Sequence, residues 1–263
     1  LSIYTDMPKS DLIALLNQKD DLIESQTQML LRQDRVRLLG ENIEDLTDQW
    51  KNPLLSLNAS ANKLQIKKVL DLLSNEIFEK EIDIILKNSD YLLQTLTDIT
   101  HFCAQERIAR VFEVDKVINQ TLSIANTFLH GKEISLDVKY EESYVKGIEN
   151  ELMQALLNII HNASDVLMHQ TGNRKIKVTV FNKDNECNIL IADNGGGIDA
   201  DIIDKIFDRY FTTKGDDGLG TGLFLTKAII TQRFNGKIGV QNKDDGAVFT
   251  ITLPQYEFLN IEG

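Results

Sequence analysis

The 263-residue sequence is poor in cysteine, proline and histidine, with two, three and four of each, and it has a single tryptophan. Cys103 and Cys187 are far apart and share neither a CxxC nor a His-rich spacing, which argues against a disulfide framework and against a zinc site. A reducing, cytoplasmic setting is the expectation. There is no apolar run of membrane-spanning length and no charged-plus-apolar leader. The chain opens at Leu1 rather than Met, so any membrane attachment is expected from a part upstream of it. Positive charge is also scarce, with 28 Lys and Arg against 40 Asp and Glu and a net charge of -12 spread evenly. With no basic face, nucleic acid is a poor partner. The few prolines, Pro8, Pro53 and Pro254, leave room for long helices.

With 42% apolar and 26% charged residues, the chain can build one large or two medium cores. The first hundred residues are helical in pattern. Leu16, Ile23 and Leu30 recur at seven, then Leu39, Ile43, Leu46, Trp50, Leu54 and Leu57 at three and four. A second stripe runs through Ile82, Ile85, Leu86, Ser89, Leu92, Leu93, Leu96, Ile99 and Cys103, after a polar "LSNEIFEKE" that suggests a turn. Two helices cannot bury both stripes, so a dimeric four-helix bundle is expected. From about Val111 helix and strand alternate: "KVINQTLSIANTFL" and "ENELMQALLNIIHNASDVLMH" have helical spacing, whereas "ISLDVKY", "KIKVTVF", "CNILIAD", "KIGVQN" and "AVFTITLP" read as strands.

Four segments carry chemistry. "LLNIIHNASDVL" stacks Asn158 and Asn162 on one helical face, where carboxamide oxygens can hold a hard cation and the amides can meet phosphate; two capping or solvated asparagines would look the same. "IADNGGGID" ends a strand at Asp193 and turns on glycines, so the carboxylate can accept from an exocyclic amine such as adenine N6; a simple Asp-capped turn is the alternative. "KIFDRYFTTK" sets aromatic anchors beside Arg209 and Lys214, as in a mobile lid over phosphates or an ordinary helix end. "GLGTGLFLTK" leads Gly218, Gly220 and Gly222 into a helix whose free N–H groups can face an anion. It does not follow a strand directly, so the dinucleotide fold's condition fails.

In order and spacing the four resemble the N, G1, F and G2 boxes of the GHKL ATP-binding fold, the group of histidine kinases, Hsp90, type II topoisomerases and MutL. The resemblance covers residues 111–254, and the helices before it resemble the dimerisation and phosphotransfer hairpin of sensor histidine kinases. It implies an α+β chain: a helical linker over 1–40, a hairpin over 41–110 forming a dimeric four-helix bundle, an α/β-sandwich ATP domain over 111–254 and a tail over 255–263. It implies ATP and Mg2+ as cofactors, with Asn158 and Asn162 at Mg and the nucleotide, and Asp193 on adenine. Gly195 and Gly197 would shape that pocket, while Lys214, Gly218, Gly220, Gly222 and Leu223 lie around the nucleotide. The implied partners are a second copy of the chain and a response-regulator receiver domain. Hydrolytic members carry a glutamate one turn before the metal-binding Asn; here that position is Asn158, and a carboxamide cannot take a proton from water.

"LTDQWKNPLLSL" raises the sharpest difference. It fits the family's H box from Gln49 to Leu54, closest to the variant His-Gln-Trp-Arg-Gln-Pro-Leu, yet Asp48 stands where the phosphoacceptor histidine is expected. A neutral imidazole offers a lone pair to phosphorus, whereas a carboxylate is repelled by triphosphate. Gln49 cannot act as the neighbouring base. His101, His130, His161 and His169 are not easy substitutes. The resemblance thus implies a kinase core that binds Mg-ATP with self-phosphorylation lost or impaired. It also leaves open an ATP-responsive scaffold without catalysis and, less favoured, a GHKL ATPase. Asp48 is either a substitution for histidine or the mark of a naturally acceptor-less member.

Overall fold

A computed structural model describes residues 8–40, 43–104, 108–213 and 220–256; within this, nothing is described of the side chains of residues 43–46, 48 and 49. Three long helices come first: α1 (Lys9–Gly40), α2 (Ile43–Val69) and α3 (Asn75–Cys103). Pro53 lies inside α2, where it has no N–H for the carbonyl four residues back. The α2 helix closes with Leu72 N–H on the Lys67 carbonyl at 2.9 Å and Asp71 in the left-handed region at φ 55°. Ser74 then caps α3, accepting from the Ile77 N–H. The turn therefore occupies residues 70–74, and most of the polar "LSNEIFEKE" is already helix because Ser74 offers a cap. Glu81, buried on α3, pairs with Lys63 of α2, and that bond, with a smaller one from Ser60, holds its carboxyl below the usual range.

The hairpin buries one stripe and leaves another. Thr95, Asp98 and Phe102 face inward on α3, whereas Leu54 and Leu55 of α2 and Leu86, Leu93 and Leu96 of α3 are about half exposed. Leu16 and Ile23 on α1 are exposed too. The face of α1 that this chain buries is instead Leu31, Asp34, Arg35 and Leu38. No helix among the described residues is long and apolar enough to cross a membrane.

After the hairpin, β1 (Arg110–Glu113) pairs antiparallel with β3 (Tyr144–Gly147), and α4 (Val114–Leu129) and β2 (Ile134–Tyr140) lie between them in sequence. Then come α5 (Glu149–Met168), β4 (Arg174–Lys183), β5 (Glu186–Asp193), α6 (Gly222–Ala228), a π-helical turn at Ile229–Arg233, β6 (Lys237–Lys243) and β7 (Gly246–Pro254). The five-stranded sheet has the order β2-β4-β5-β7-β6; only the β2-β4 pair is parallel. Alternation decides its faces: Ile176, Val178 and Val180 on β4 stand in register with Asp193, Ile191 and Ile189 on β5, and the isoleucines meet Phe249 and Ile251 on β7. Helix α5 is buried almost all round, including Asn150, Glu151, Gln154 and Asn158. A helix buried on every side sits between layers, and α5 lies between the sheet and the helices α1, α3 and α4.

Candidate functional site

One cavity of about 1060 Å³ opens beside α5, the end of β5 and the start of α6. Its size suits a nucleotide-sized ligand. Asn158, Asn162, Asp193, Gly197, Gly220, Gly222 and Leu223 all line it, so residues spread over some 65 positions of sequence converge on one cleft. Gly195 adjoins it at the Asp193 turn. Lys214 and Gly218 lie outside the described residues, as do the side chains of Asp48 and Gln49; the backbone of the last two is helical, in α2.

Each element brings its side chain for a local reason. On α5 the carboxamides of Asn150, Gln154, Asn158 and Asn162 recur every fourth residue and form one row. The Asn158 amide donates to Asp34 Oδ2 at 3.0 Å and to the Gly222 carbonyl at 3.3 Å, while its Oδ1 is buried with no protein partner. An orphaned oxygen of this kind is the donor a hard cation takes, and the residues present fit Mg2+ bound with a nucleotide. Among the described residues no group of three or more His, Cys, Asp or Glu side chains could hold a metal.

Asp193 ends β5 and accepts through Oδ1 from the Gly195 N–H at 2.8 Å and the Ala247 N–H at 3.4 Å. Burial raises its pKa, and those two N–H groups pull it part of the way back. Space is tight around it: a Cβ at Gly195 would lie 2.6 Å from Val166, and one at Gly246 would lie 1.7 Å from the Asp193 carbonyl oxygen. Gly197, at φ +80°, turns where a Cβ would strike Asn242, whose carboxamide brackets Ile198 by accepting from its N–H and donating to its carbonyl. At the other end Tyr210 N–H donates to the Gly220 carbonyl at 2.9 Å, and a Cβ at Gly220 would sit 2.4 Å from Tyr210 backbone. The Arg209 guanidinium stacks on Tyr210 and faces Phe224.

Several wall residues were not visible in the sequence as site residues. His161, set aside above as an acceptor, lines the cavity with Asp165, its Nδ1 3.2 Å from Asp165 Oδ2. Arg37 reaches the same cavity from α1, far away in sequence. Gly246 and Asn242 shape the Asp193 turn from the last hairpin, and the only sequence signal for Gly246 is a turn glycine before a strand.

Residues 147–257 match the family described as histidine kinase-, DNA gyrase B-, and HSP90-like ATPase. The chain is 28% identical over 255 residues to the signal transduction histidine-protein kinase AtoS of Escherichia coli, covering 92% of this chain and 39% of AtoS. It is 25% identical over 248 residues to the sensor protein ChvG of Rhizobium meliloti, covering 84% of this chain and 41% of ChvG. It thus spans about two fifths of the length of these curated relatives. Among solved structures, the catalytic domain of histidine kinase ThkA superposes with a TM-score of 0.52 at 25% identity, covering 57% of this chain and 99% of that domain. Mycobacterial sensor histidine kinase MprB, at 22% identity and a TM-score of 0.51, has the same fold. The likeness to sensor histidine kinases runs through the helical hairpin as well as the sheet, and together these similarities support a sensor histidine kinase GHKL core, with most of the cavity wall inside the ATPase-like region.

Proposed function

We propose that this chain is a two-component kinase core that binds Mg-ATP in the α5/β5/α6 cavity and works as a dimer on a response-regulator receiver domain. The convergence of Asn158, Asn162, Asp193, Gly220 and Gly222 on one cleft carries the reading. In it, residues 1–40 link to an upstream sensor, 41–110 are the dimerising hairpin, 111–254 bind nucleotide and 255–263 form a tail. Asp193 accepts from the adenine amine. Asn158 and Asn162 offer oxygens to Mg2+, which when bound neutralises phosphate charge. Gly218, Gly220, Gly222 and Leu223, with Lys214, bound the nucleotide. Gly195 and Gly197 shape the pocket for the base.

The phosphoryl group would land at position 48 of α2, where this chain has a carboxylate. An anion approaching a triphosphate raises the barrier, and Gln49 beside it holds no base. The chain therefore binds Mg-ATP without efficient self-phosphorylation. Incubation with γ-labelled ATP and Mg2+ is expected to leave the protein unlabelled, and Asp48→His is expected to introduce an acid-labile phosphoryl label. Strong labelling of the unaltered chain would overturn the proposal. An unlabelled Asp48→His protein that still binds ATP would favour the ATP-responsive scaffold instead.

A further inference from the structure

The row of carboxamides on α5 is met by a helix from the far end of the chain. Along α1, Glu24 pairs with Arg233 at the π-helical turn, Gln28 donates to Glu151, and Leu31 and Leu38 are buried in the core. Arg35 donates to Gln154 Oε1 at 3.0 Å, and Gln154 donates to the Leu31 carbonyl at 3.1 Å. These residues share one helical face.

Asp34 stands at the centre of that face and is 3% exposed. Its Oδ2 accepts from Gln154 Nε2 at 2.8 Å and from Asn158 Nδ2 at 3.0 Å; its Oδ1 accepts from Arg37 Nη2 at 2.8 Å. The Asn158 amide nitrogen thus has two acceptors, Asp34 and the Gly222 carbonyl. Turning that carboxamide over would set its oxygen against a carboxylate and a carbonyl. Asp34 therefore dictates which way Asn158 faces, and the consequence is the buried, partnerless Oδ1 next to Gly222, where a Cβ would lie 3.2 Å from it. Leaving such an acceptor unmet is unfavourable, and any cation or donor that arrives relieves that cost.

We infer that Asp34 is a positioning residue of the nucleotide site, and that α1 completes that site: Asp34 turns the Asn158 oxygen toward the metal-bound nucleotide and holds Arg37 on the cavity wall. The inference rests on reading the cavity as a Mg-nucleotide site. Withdrawal of α1 from α5 releases Asn158 and weakens the site. By reciprocity, Mg-nucleotide tightens the docking of α1.

The test is calorimetric titration of the whole chain with ADP, once with Mg2+ and once with EDTA. Asp34→Ala is expected to weaken Mg-ADP binding about 10- to 100-fold, as loss of a partner behind a metal ligand does, while ADP in EDTA changes by less than about twofold. Asp34→Asn keeps an acceptor for Asn158 and recovers most of the loss. Equal losses with and without Mg2+, or none, would overturn the inference. Hydrogen exchange on the unaltered chain gives a second readout that needs no variant: Mg-ADP is expected to add protection over residues 24–38, and ADP in EDTA is not. Absence of that protection would also overturn it. If the unaltered chain binds no ADP under either condition, the nucleotide reading falls and the role of Asp34 falls with it; if it binds and only the Asp34 or exchange results fail, the inference falls alone.

Discussion

Asp193 commits one carboxylate oxygen to the backbone, through the Gly195 and Ala247 N–H groups, and sits on the cavity wall. Asparagine at this position keeps an oxygen for those N–H groups but places an amide where an adenine amine needs an acceptor. Asp193→Asn is therefore expected to fold and to lose about 1–3 kcal/mol of adenine-nucleotide binding, with little change for a guanine nucleotide, as titration with ADP and GDP would measure. Equal losses for both bases would remove adenine recognition from Asp193. Its place at the end of a strand before three glycines was legible in sequence, while an Asp-capped turn remained an equal reading until the structure put the residue on the cavity wall. Its confinement was not legible: Gly246, whose Cβ would meet the Asp193 carbonyl oxygen, comes from β7, some fifty residues further on.

Helix α5 shows what an element can hide. Its periodic apolar residues mark it as helical, but a pattern cannot say that the polar side is buried as well. Glu151 is 1% exposed, and burial pushes its carboxyl above the usual range, against the opposing pull of Arg233 and Gln28. For an acid raised on folding, the native state holds more protons than the unfolded chain between the two pKa values, so stability falls as pH rises through that window. Glu151→Gln removes this loss. The stability of the variant relative to the parent, followed by urea denaturation, is expected to be more favourable at pH 7 than at pH 4. A gap independent of pH would mean that folding does not raise the Glu151 pKa. The turn between α2 and α3 shifts for an equally local reason, since Ser74 caps a helix that a polar string suggested was still loop.

At the scale of the whole molecule, the half-exposed leucines of the hairpin fit the proposed dimer, in which a second copy would cover them. Leu54, Leu55, Leu86, Leu93 and Leu96 leave more apolar side chain in water than two packed helices normally would. Sedimentation is expected to find a dimer, and Leu86→Glu with Leu93→Glu is expected to give a monomer that retains ADP binding, because these leucines are not part of the cavity wall. A native monomer would remove the bundle. Local patterning by itself determined the helical front and the α/β rear and marked four polar or glycine-rich segments, whose reading as nucleotide boxes came from the family resemblance. It could do so because period, glycine spacing and turn chemistry act within a few residues of one another. It also determined that an aspartate stands at position 48. Only the tertiary structure decided that α1 lies along α5 and that Asp34 fixes the face Asn158 presents. Those residues are 124 apart, and their pairing depends on how helices pack rather than on any spacing along the chain.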